Sequence, residues 1–329
     1  MTPPPHINKF RIVNFGCCHD VSLPLTPLHA LIGPNDSGKS SILRALQLSA
    51  RSVSERGPPN KADPRLVQGT GEAVTHFILE CDGDTLDLAG GVYQRLEPRQ
   101  HPGLHAVLSG ATFFRLEADA LREPGALIPS DKPLEFATER GHGLASLVDA
   151  LLSRSPQTFL DLSAEVARLF PALAQLTLEN TSDNKKVLAA VLTGSGHKIG
   201  PGEMSEGLLY YIAFALLPHI FSSGLLLIEE PENGLHPARI RDVLSVLRAV
   251  SAKMQVIVST HSPLVINELA GDEVTLLTRT TQAGTQATRL CDTFEYPQRS
   301  RFYSNGELWL AHCDGAAESA LLLGPDRAA

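Results

Sequence analysis

The chain has 329 residues, 43% of them hydrophobic, with 28 basic and 36 acidic residues, a net charge of −8 and five cysteines. This length and hydrophobic content predict one large or two medium folded domains and exclude a wholly disordered chain. The acidic balance argues against a protein that coats nucleic acid by charge alone. Five dispersed cysteines do not form a disulfide framework, and the polar N-terminus shows no secretory signal, so we expect a cytoplasmic protein.

One apolar segment, residues 208–228, carries no formal charge and is long enough to cross a bilayer. Pro218, His219 and the Ser-Ser-Gly sequence at 222–224 interrupt it. We therefore predict a buried helix, a turn and a buried strand in this segment, and no membrane partner for the protein.

Strand-like and helix-like patterns alternate along the chain. Predicted strands cover 9–15, 29–32, 73–80, 225–228 and 255–259, and a predicted hairpin covers 274–289. Predicted helices follow Lys39, form a pair within 143–170, resume at Glu206 and cover 237–250. This alternation indicates an α/β fold with a mainly parallel sheet that helices cover on both faces.

The strongest motif is Gly-Pro-Asn-Asp-Ser-Gly-Lys-Ser at residues 33–40, which matches the phosphate-loop (Walker A) pattern G-x-x-x-x-G-K-[ST] between a predicted strand and a predicted helix. Its glycines let backbone N–H groups surround phosphate oxygens at a helix N-terminus. Lys39 would reach the β- and γ-phosphates, and the Ser40 hydroxyl would ligate Mg²⁺. The predicted ATP-binding residues of this loop are Gly33, Asn35, Asp36, Ser37, Gly38, Lys39, Ser40 and Ser41.

The second motif, Leu-Leu-Leu-Ile-Glu-Glu-Pro-Glu at 225–232, resembles a Walker B strand. It delivers two adjacent carboxylates to the end of a buried strand, where open α/β sheets bind ligands. Glu229 would hold Mg²⁺ directly or through water, and Glu230 would orient and polarise an attacking water molecule. Taken alone, the segment is equally consistent with a solvated acidic loop; the phosphate loop favours the functional interpretation.

The third motif, Ser-Thr-His-Ser-Pro at 259–263, also follows a predicted buried strand. His261 would contact the γ-phosphate and hold Glu230 in place. A single histidine is more often structural, but its position after the strand that follows the acidic strand favours a functional role. The predicted catalytic residues are therefore Glu230, His261 and Lys39.

With these motifs, the chain resembles ATP-binding-cassette-type P-loop ATPases of the group that includes the SMC, RecF and overcoming-lysogenization-defect (OLD) proteins. Residues 204–209 resemble the signature motif of that group, with Ser205 and Gly207 at the matched positions and Glu206 departing from the common form. In the family, this motif of one subunit caps the γ-phosphate bound by the other. The resemblance thus implies a homodimer that forms on ATP binding. A helix N-cap at Ser205 is compatible with this role.

Two further assignments follow from the resemblance. Residues 66–75 resemble the glutamine loop, in which Gln68 would sense Mg²⁺ and the attacking water; an ordinary surface loop is an equal alternative. Residues 233–237, Asn-Gly-Leu-His-Pro, resemble the loop that crosses the dimer interface, in a form typical of OLD-like and RecF-like ATPases.

The motifs divide the chain into four segments: an N-terminal part of the ATPase core with Walker A (1–84), an inserted, mainly helical lobe (85–200), the signature, Walker B and histidine loop (201–271), and a C-terminal hairpin and tail (272–329). The second segment is too short for the coiled-coil arm of SMC proteins. The sequence after His261 is short for the TOPRIM nuclease domain of OLD proteins, so we expect no nuclease within these residues.

The predicted function is an ATPase that acts as the sensor or regulator of a bacterial anti-phage or toxin system, with a separate nuclease or toxin as effector. The alternative is a RecF-like repair ATPase that binds DNA directly, since residues 44–65 carry five basic and two acidic residues. The histidine loop, Ser-Thr-His-Ser-Pro, argues mildly against a transporter cassette. The signature-like motif and the histidine loop together argue against a small-molecule phosphotransferase.

Overall fold

The computed structural model describes residues 4–51, 74–89, 99–181, 183–221, 224–280, 282–294 and 296–310. The strands are β1 Lys9–Phe15, β2 Cys18–Pro24, β3 Leu28–Ile32, β4 His76–Cys81, β5 Asp84–Ala89, β6 Thr112–Phe114, β7 Leu173–Asn180, β8 Lys186–Leu192, β9 Lys198–Ile199, β10 Leu225–Glu229, β11 Gln255–Thr260, β12 Val274–Thr280 and β13 Gly284–Arg289. The helices are α1 Lys39–Arg51, α2 Pro102–Ser109, α3 Ala118–Arg122, α4 Leu144–Arg154, α5 Pro156–Leu169, α6 Glu206–Ile220, α7 Pro237–Ser251, α8 Pro263–Asn267, α9 Tyr296–Arg299 and α10 Asn305–Leu310.

The chain divides into two compact units. The first unit comprises residues 1–113, 223–232 and 248–329, and the second comprises 114–222 and 233–247. These bounds differ from those of the predicted segments. Strand β5 and helix α2, placed by the sequence in the inserted lobe, belong to the first unit, and helix α6, placed in the ATPase core, belongs to the second.

The first unit contains a six-stranded sheet in the order β13-β12-β3-β11-β10-β6. The pairs β10–β11, β11–β3 and β3–β12 are parallel, and β12–β13 is the predicted antiparallel hairpin. Every residue of β3 and β11 is buried, which explains the continuous apolar runs from which these strands were predicted. The mainly parallel α/β architecture predicted from the sequence is confirmed.

A second sheet of the first unit, in the order β2-β1-β4-β5, is antiparallel throughout. Helix α1 buries Ile42, Leu43 and Leu46 in a core that also includes Phe10 of this sheet and Leu227 of the six-stranded sheet. The apolar face of α1 thus shares one core with both sheets, and this packing fixes the helix that follows the phosphate loop.

The second unit combines helices with a three-stranded antiparallel sheet, β7-β8-β9. The paired helices α4 and α5 confirm the prediction for 143–170. The sheet was missed, because the Val-Leu-Ala-Ala-Val-Leu run at 187–192 lacks polar alternation and contains good helix formers. The lobe expected to be mainly helical therefore has a β component of its own.

The apolar segment 208–228 folds as predicted, with helix α6 followed by strand β10. Within the described parts of the chain, no helix combines the length and the hydrophobicity that crossing a membrane requires.

Candidate ATP-binding and hydrolysis site

The phosphate loop joins strand β3 to helix α1 and depends on the hairpin β12–β13 for its shape. A Cβ atom at Gly33 would meet the carbonyl oxygen of Leu277 in β12. Gly38 has a φ of +107°, and a Cβ atom there would meet Oγ1 of Thr285 in β13. Close packing therefore requires glycine at both positions, and at Gly38 the positive φ requires it as well.

Lys39 turns back into this loop. Its Nζ donates to the carbonyl oxygens of Gly33, at 2.7 Å, and Pro34, at 2.8 Å. Burial lowers the pKa of Lys39 to about 8, while the negative charges of Glu230, Asp36 and Glu229 act in the opposite direction. The ammonium group is thus held by neutral acceptors that phosphate oxygens can replace.

The loop fits a polyphosphate on one observation: the buried Oγ of Ser37 has no hydrogen-bond partner among the described residues. A buried hydroxyl without a partner at this position suits an additional phosphate contact. Ser40 is exposed at the start of α1, as are Asn35 and Asp36 in the loop, so these side chains are accessible to a nucleotide and its metal ion.

The acidic residues lie at the same sheet edge, because β3, β11 and β10 are neighbouring parallel strands that all end there. Glu229 is the last residue of β10. Glu230 has a φ of +50°, uncommon for a residue with a side chain, and its backbone N–H donates to the carbonyl oxygen of Ser259 at 2.8 Å.

His261 meets Glu230 at this edge. Its Nε2 lies 3.2 Å from Oε1 of Glu230, and both side chains are only partly exposed. The sequence predicted that His261 holds Glu230, and this contact is the one that such a role requires.

Four residues that the sequence analysis left without a role also contact these segments. Oγ1 of Thr285 donates to the carbonyl oxygen of Ser37 at 2.9 Å, and Arg279 donates to that of Asp36 at 3.3 Å. Their spacing in the sequence carries no motif, so no local signal indicated them. Glu232, three positions from the end of β10, accepts hydrogen bonds from the histidine loop.

The fourth is Cys17, the residue before strand β2. Its Sγ lies 3.2 Å from Oγ1 of Thr285 and 3.6 Å from Oγ of Ser41. Hydrogen bonding from Cys18 is the main cause that lowers the pKa of Cys17 to about 5, with burial opposing it. The thiol therefore lies against the phosphate loop. Within the described ranges, no group of three or more His, Cys, Asp or Glu side chains forms a metal-binding cluster.

The signature-like residues belong to the second unit. Oγ of Ser205 accepts from the backbone N–H of Leu208 at 3.3 Å and so caps helix α6. A Cβ atom at Gly207 would lie 3.0 Å from the carbonyl oxygen of Gly234. Gly234, with a φ of +66°, has no room for a Cβ beside the ring of Tyr210. The loop after β10 is thus packed on the first turn of α6.

The predicted glutamine-loop residue and the predicted basic stretch fall largely where the structure gives no description. Gln68 lies outside the described residues, as does most of the basic stretch 44–65.

Two family models match parts of the chain. A family model described as "AAA domain, putative AbiEii toxin, Type IV TA system" matches residues 97–267, just over half of the chain, including both acidic residues and His261. A second family model, "AAA ATPase domain", matches residues 6–62, which include the phosphate loop.

Among individual proteins, the chain is similar to the OLD nuclease of Thermus scotoductus, with 25% identity over 318 residues. The match covers 78% of this chain and 59% of the OLD nuclease, so the chain spans less than two thirds of that relative's length. Among solved structures, it is similar to an SMC head bound to the C-winged helix domain of ScpA, with a TM-score of 0.53 and 17% identity. That match covers 86% of this chain and 97% of the SMC head, and it shows a shared fold.

Proposed function

The chain belongs to the AAA-domain family described as "AAA domain, putative AbiEii toxin, Type IV TA system", and from this premise we propose that it binds and hydrolyses ATP. The observation that carries the proposal is the contact between Oε1 of Glu230 and Nε2 of His261 at 3.2 Å. This contact lies at the sheet edge where strand β3 leads into the phosphate loop. A carboxylate held by a histidine beside a phosphate-binding lysine is suited to the hydrolysis of a phosphoric anhydride.

Each residue of this edge has a defined task in the proposal. Lys39 exchanges its two carbonyl acceptors for phosphate oxygens, and backbone N–H groups of the phosphate loop, at residues other than Pro34, bind the same phosphates. Glu230 accepts a proton from the attacking water, while His261 fixes the orientation of the Glu230 carboxylate. Magnesium, held by Ser40, Glu229 and Gln68, would neutralise charge on the phosphates.

We place the complete site between two copies of the chain. Ser205 and Gly207 of the opposite subunit would cap the γ-phosphate, as the resemblance to the signature motif implies. This arrangement is supported by the fold shared with an SMC head. It makes the protein a homodimer in the ATP-bound state, and hydrolysis through Glu230 would release the dimer.

The biological role that we propose is that of a sensor or regulator in a bacterial anti-phage or toxin system, with a separate nuclease or toxin as its effector. Its support is the family description, which names the AbiEii toxin and type IV toxin–antitoxin systems, and the similarity to an OLD nuclease. A cytoplasmic location follows from this role.

Two substitutions test the enzymatic part. Glu230→Gln removes the proton acceptor, so ATP turnover should fall about 100-fold or more while ATP affinity stays near that of the wild type. Lys39→Ala should weaken ATP binding at least about tenfold, because a charged donor to the phosphates is lost. Glu135→Gln, an exposed change in the second unit, is the control and should alter neither quantity. Wild-type turnover in Glu230→Gln would contradict the assignment of Glu230.

The same Glu230→Gln protein tests the assembly and the partner. Analytical ultracentrifugation should show a monomer without ATP and a dimer with Mg²⁺ and ATP. A pull-down from the native host, with and without nuclease treatment of the lysate, should recover a stoichiometric protein effector in both cases. Recovery of nucleic acid alone would instead favour the RecF-like alternative, which also predicts DNA-stimulated turnover that falls steeply with salt.

A further inference from the structure

Glu232 lies in the segment that follows strand β10, two residues beyond Glu230. One of its carboxylate oxygens, Oε1, accepts three hydrogen bonds from the loop that carries the histidine: from Oγ1 of Thr260 at 2.6 Å, from the backbone N–H of His261 at 3.1 Å and from that of Ser262 at 3.2 Å. A single oxygen therefore binds three consecutive residues of this loop.

This contact holds the backbone on which the His261 side chain is mounted. Thr260 is completely buried at the end of β11, and its Oγ1 also accepts from the N–H of Ser262 at 2.9 Å. Glu232 and Thr260 together satisfy the two backbone donors at the turn from β11 into α8. The position of the His261 imidazole relative to Glu230 thus depends on a carboxylate that binds the backbone of the histidine loop.

The contact is not needed to join the two strands. All five residues of β10 pair with residues 255–259 of β11, with Glu229 opposite Ser259, and the N–H of Glu230 donates to the carbonyl oxygen of Ser259. The sheet therefore fixes the strand ends without Glu232, and what Glu232 adds is the conformation of the loop beyond them.

The second carboxylate oxygen, Oε2, is buried and has no hydrogen-bond partner among the described residues. All the hydrogen bonding of Glu232 to this loop is therefore made by Oε1. A glutamine at this position keeps one acceptor oxygen of the same geometry, whereas an alanine removes it. This difference provides a matched pair of variants.

We propose that Glu232 is a positioning residue for ATP hydrolysis, whose Oε1 fixes the histidine loop so that Nε2 of His261 meets Oε1 of Glu230. This inference rests on the proposed function, because it assigns Glu232 a task in that reaction. It gives the third carboxylate of the Glu-Glu-Pro-Glu sequence a role distinct from those of the first two.

The test compares turnover, KM and ATP affinity in Glu232→Ala, Glu232→Gln, His261→Ala and the double variant Glu232→Ala/His261→Ala. Glu232→Ala should lower kcat by about tenfold to 100-fold with ATP affinity changed less than about threefold, since the phosphate loop is untouched. Glu232→Gln should restore most of the lost kcat. The double variant should be no slower than His261→Ala, because both changes remove the same support for Glu230.

Three results would overturn the inference: wild-type kcat in Glu232→Ala, losses that multiply in the double variant, or a Glu232→Gln protein as slow as Glu232→Ala. If Glu232→Ala fails to fold, Thr260→Val, which removes one donor to Oε1 and preserves the side-chain shape, replaces it and should lower kcat by about threefold or more. An unchanged kcat in Thr260→Val would then count against the inference. Absence of turnover in the wild-type protein contradicts the proposed function itself, so the two failures are distinguishable.

Discussion

In the first compact unit, the phosphate loop is held by residues far along the chain. Thr285 donates to the carbonyl oxygen of Ser37 across 248 positions, and its hydroxyl occupies the space that a side chain at Gly38 would need. In the second unit, the signature-like segment is held by residues that are nearer in the sequence. Ser205 caps the helix that it begins, and Gly207 lies against Gly234 in a nearby loop.

This difference predicts how substitutions in each unit affect the protein. The phosphate loop owes its shape to tertiary packing, so a small change there disturbs nucleotide binding directly. Ser205 caps helix α6, so a change at Ser205 alters helix stability and leaves the nucleotide contacts of its own first unit intact. Substitutions in the two units should therefore separate ATP binding from ATP turnover.

The largest effect should come from Gly38→Ala. The new methyl group would clash with Oγ1 of Thr285, and the φ of +107° at this position is unfavourable for alanine. We therefore expect ATP affinity, measured by calorimetric titration, to fall about 100-fold or more. Gly194→Ala is the matched control, because Gly194 also has a positive φ, +81°, but nothing lies within 4 Å of its added Cβ. Equal losses in the two variants would show that packing by β13 does not shape the loop.

A smaller effect is expected from acid, through His29 in strand β3. Oγ1 of Thr26 donates to the carbonyl oxygen of Leu28, so it must accept from Nδ1 of His29, which leaves Nε2 to accept from Thr275. Burial, with a contribution from Arg289, lowers the pKa of this fully buried imidazole from 6.5 to about 3. Protonation would also remove the acceptor for Thr275.

The sign of the pH effect follows from these values. Between about pH 6.5 and pH 3 the unfolded chain binds a proton at His29 that the folded chain does not. The contribution of His29 to the free energy of unfolding is therefore complete above pH 6.5. It declines by about 1.4 kcal/mol for each pH unit below that value. Denaturant unfolding at several pH values should show a shallower decline for His29→Gln than for the wild type. Parallel curves would mean that His29 is not the responsible group. The strand that leads into the phosphate loop is thus expected to be sensitive to acid.

The smallest stability effect should come from Ser205→Ala, which removes the cap of α6 and should cost about 1 kcal/mol in the free energy of unfolding. Ser205→Asn preserves a cap and should keep wild-type stability. If Ser205 contacts the γ-phosphate across the dimer, both variants should lose ATP turnover while ATP affinity stays within about threefold of the wild type. Normal turnover in Ser205→Asn would restrict Ser205 to its structural role.

Much of the ATPase core was predictable because its signals are local. The phosphate loop is a fixed spacing of residue types, and the buried strands β3, β10 and β11 are short apolar runs that each end in a polar motif. Since the ends of neighbouring parallel strands share one edge, the meeting of Glu230 with His261 followed from the order of the motifs.

The rest could not be predicted from neighbours in the chain. The sheet β7-β8-β9 was missed because an apolar run without alternation suits a helix as well as a strand, and its pairing partner decides between them. The second unit is assembled from two separate stretches of sequence, 114–222 and 233–247, and no local pattern joins them.

The sequence by itself determined the class of the protein, the phosphate loop, and the acidic and histidine residues, because these depend on residue types at short spacings. Only the tertiary structure decided what holds them: Thr285 and Arg279 against the loop, and Glu232 beneath the histidine. The physical reason is that a hydrogen bond requires two groups about 3 Å apart in space. Strand pairing and helix packing set that distance for residues that the sequence keeps far apart.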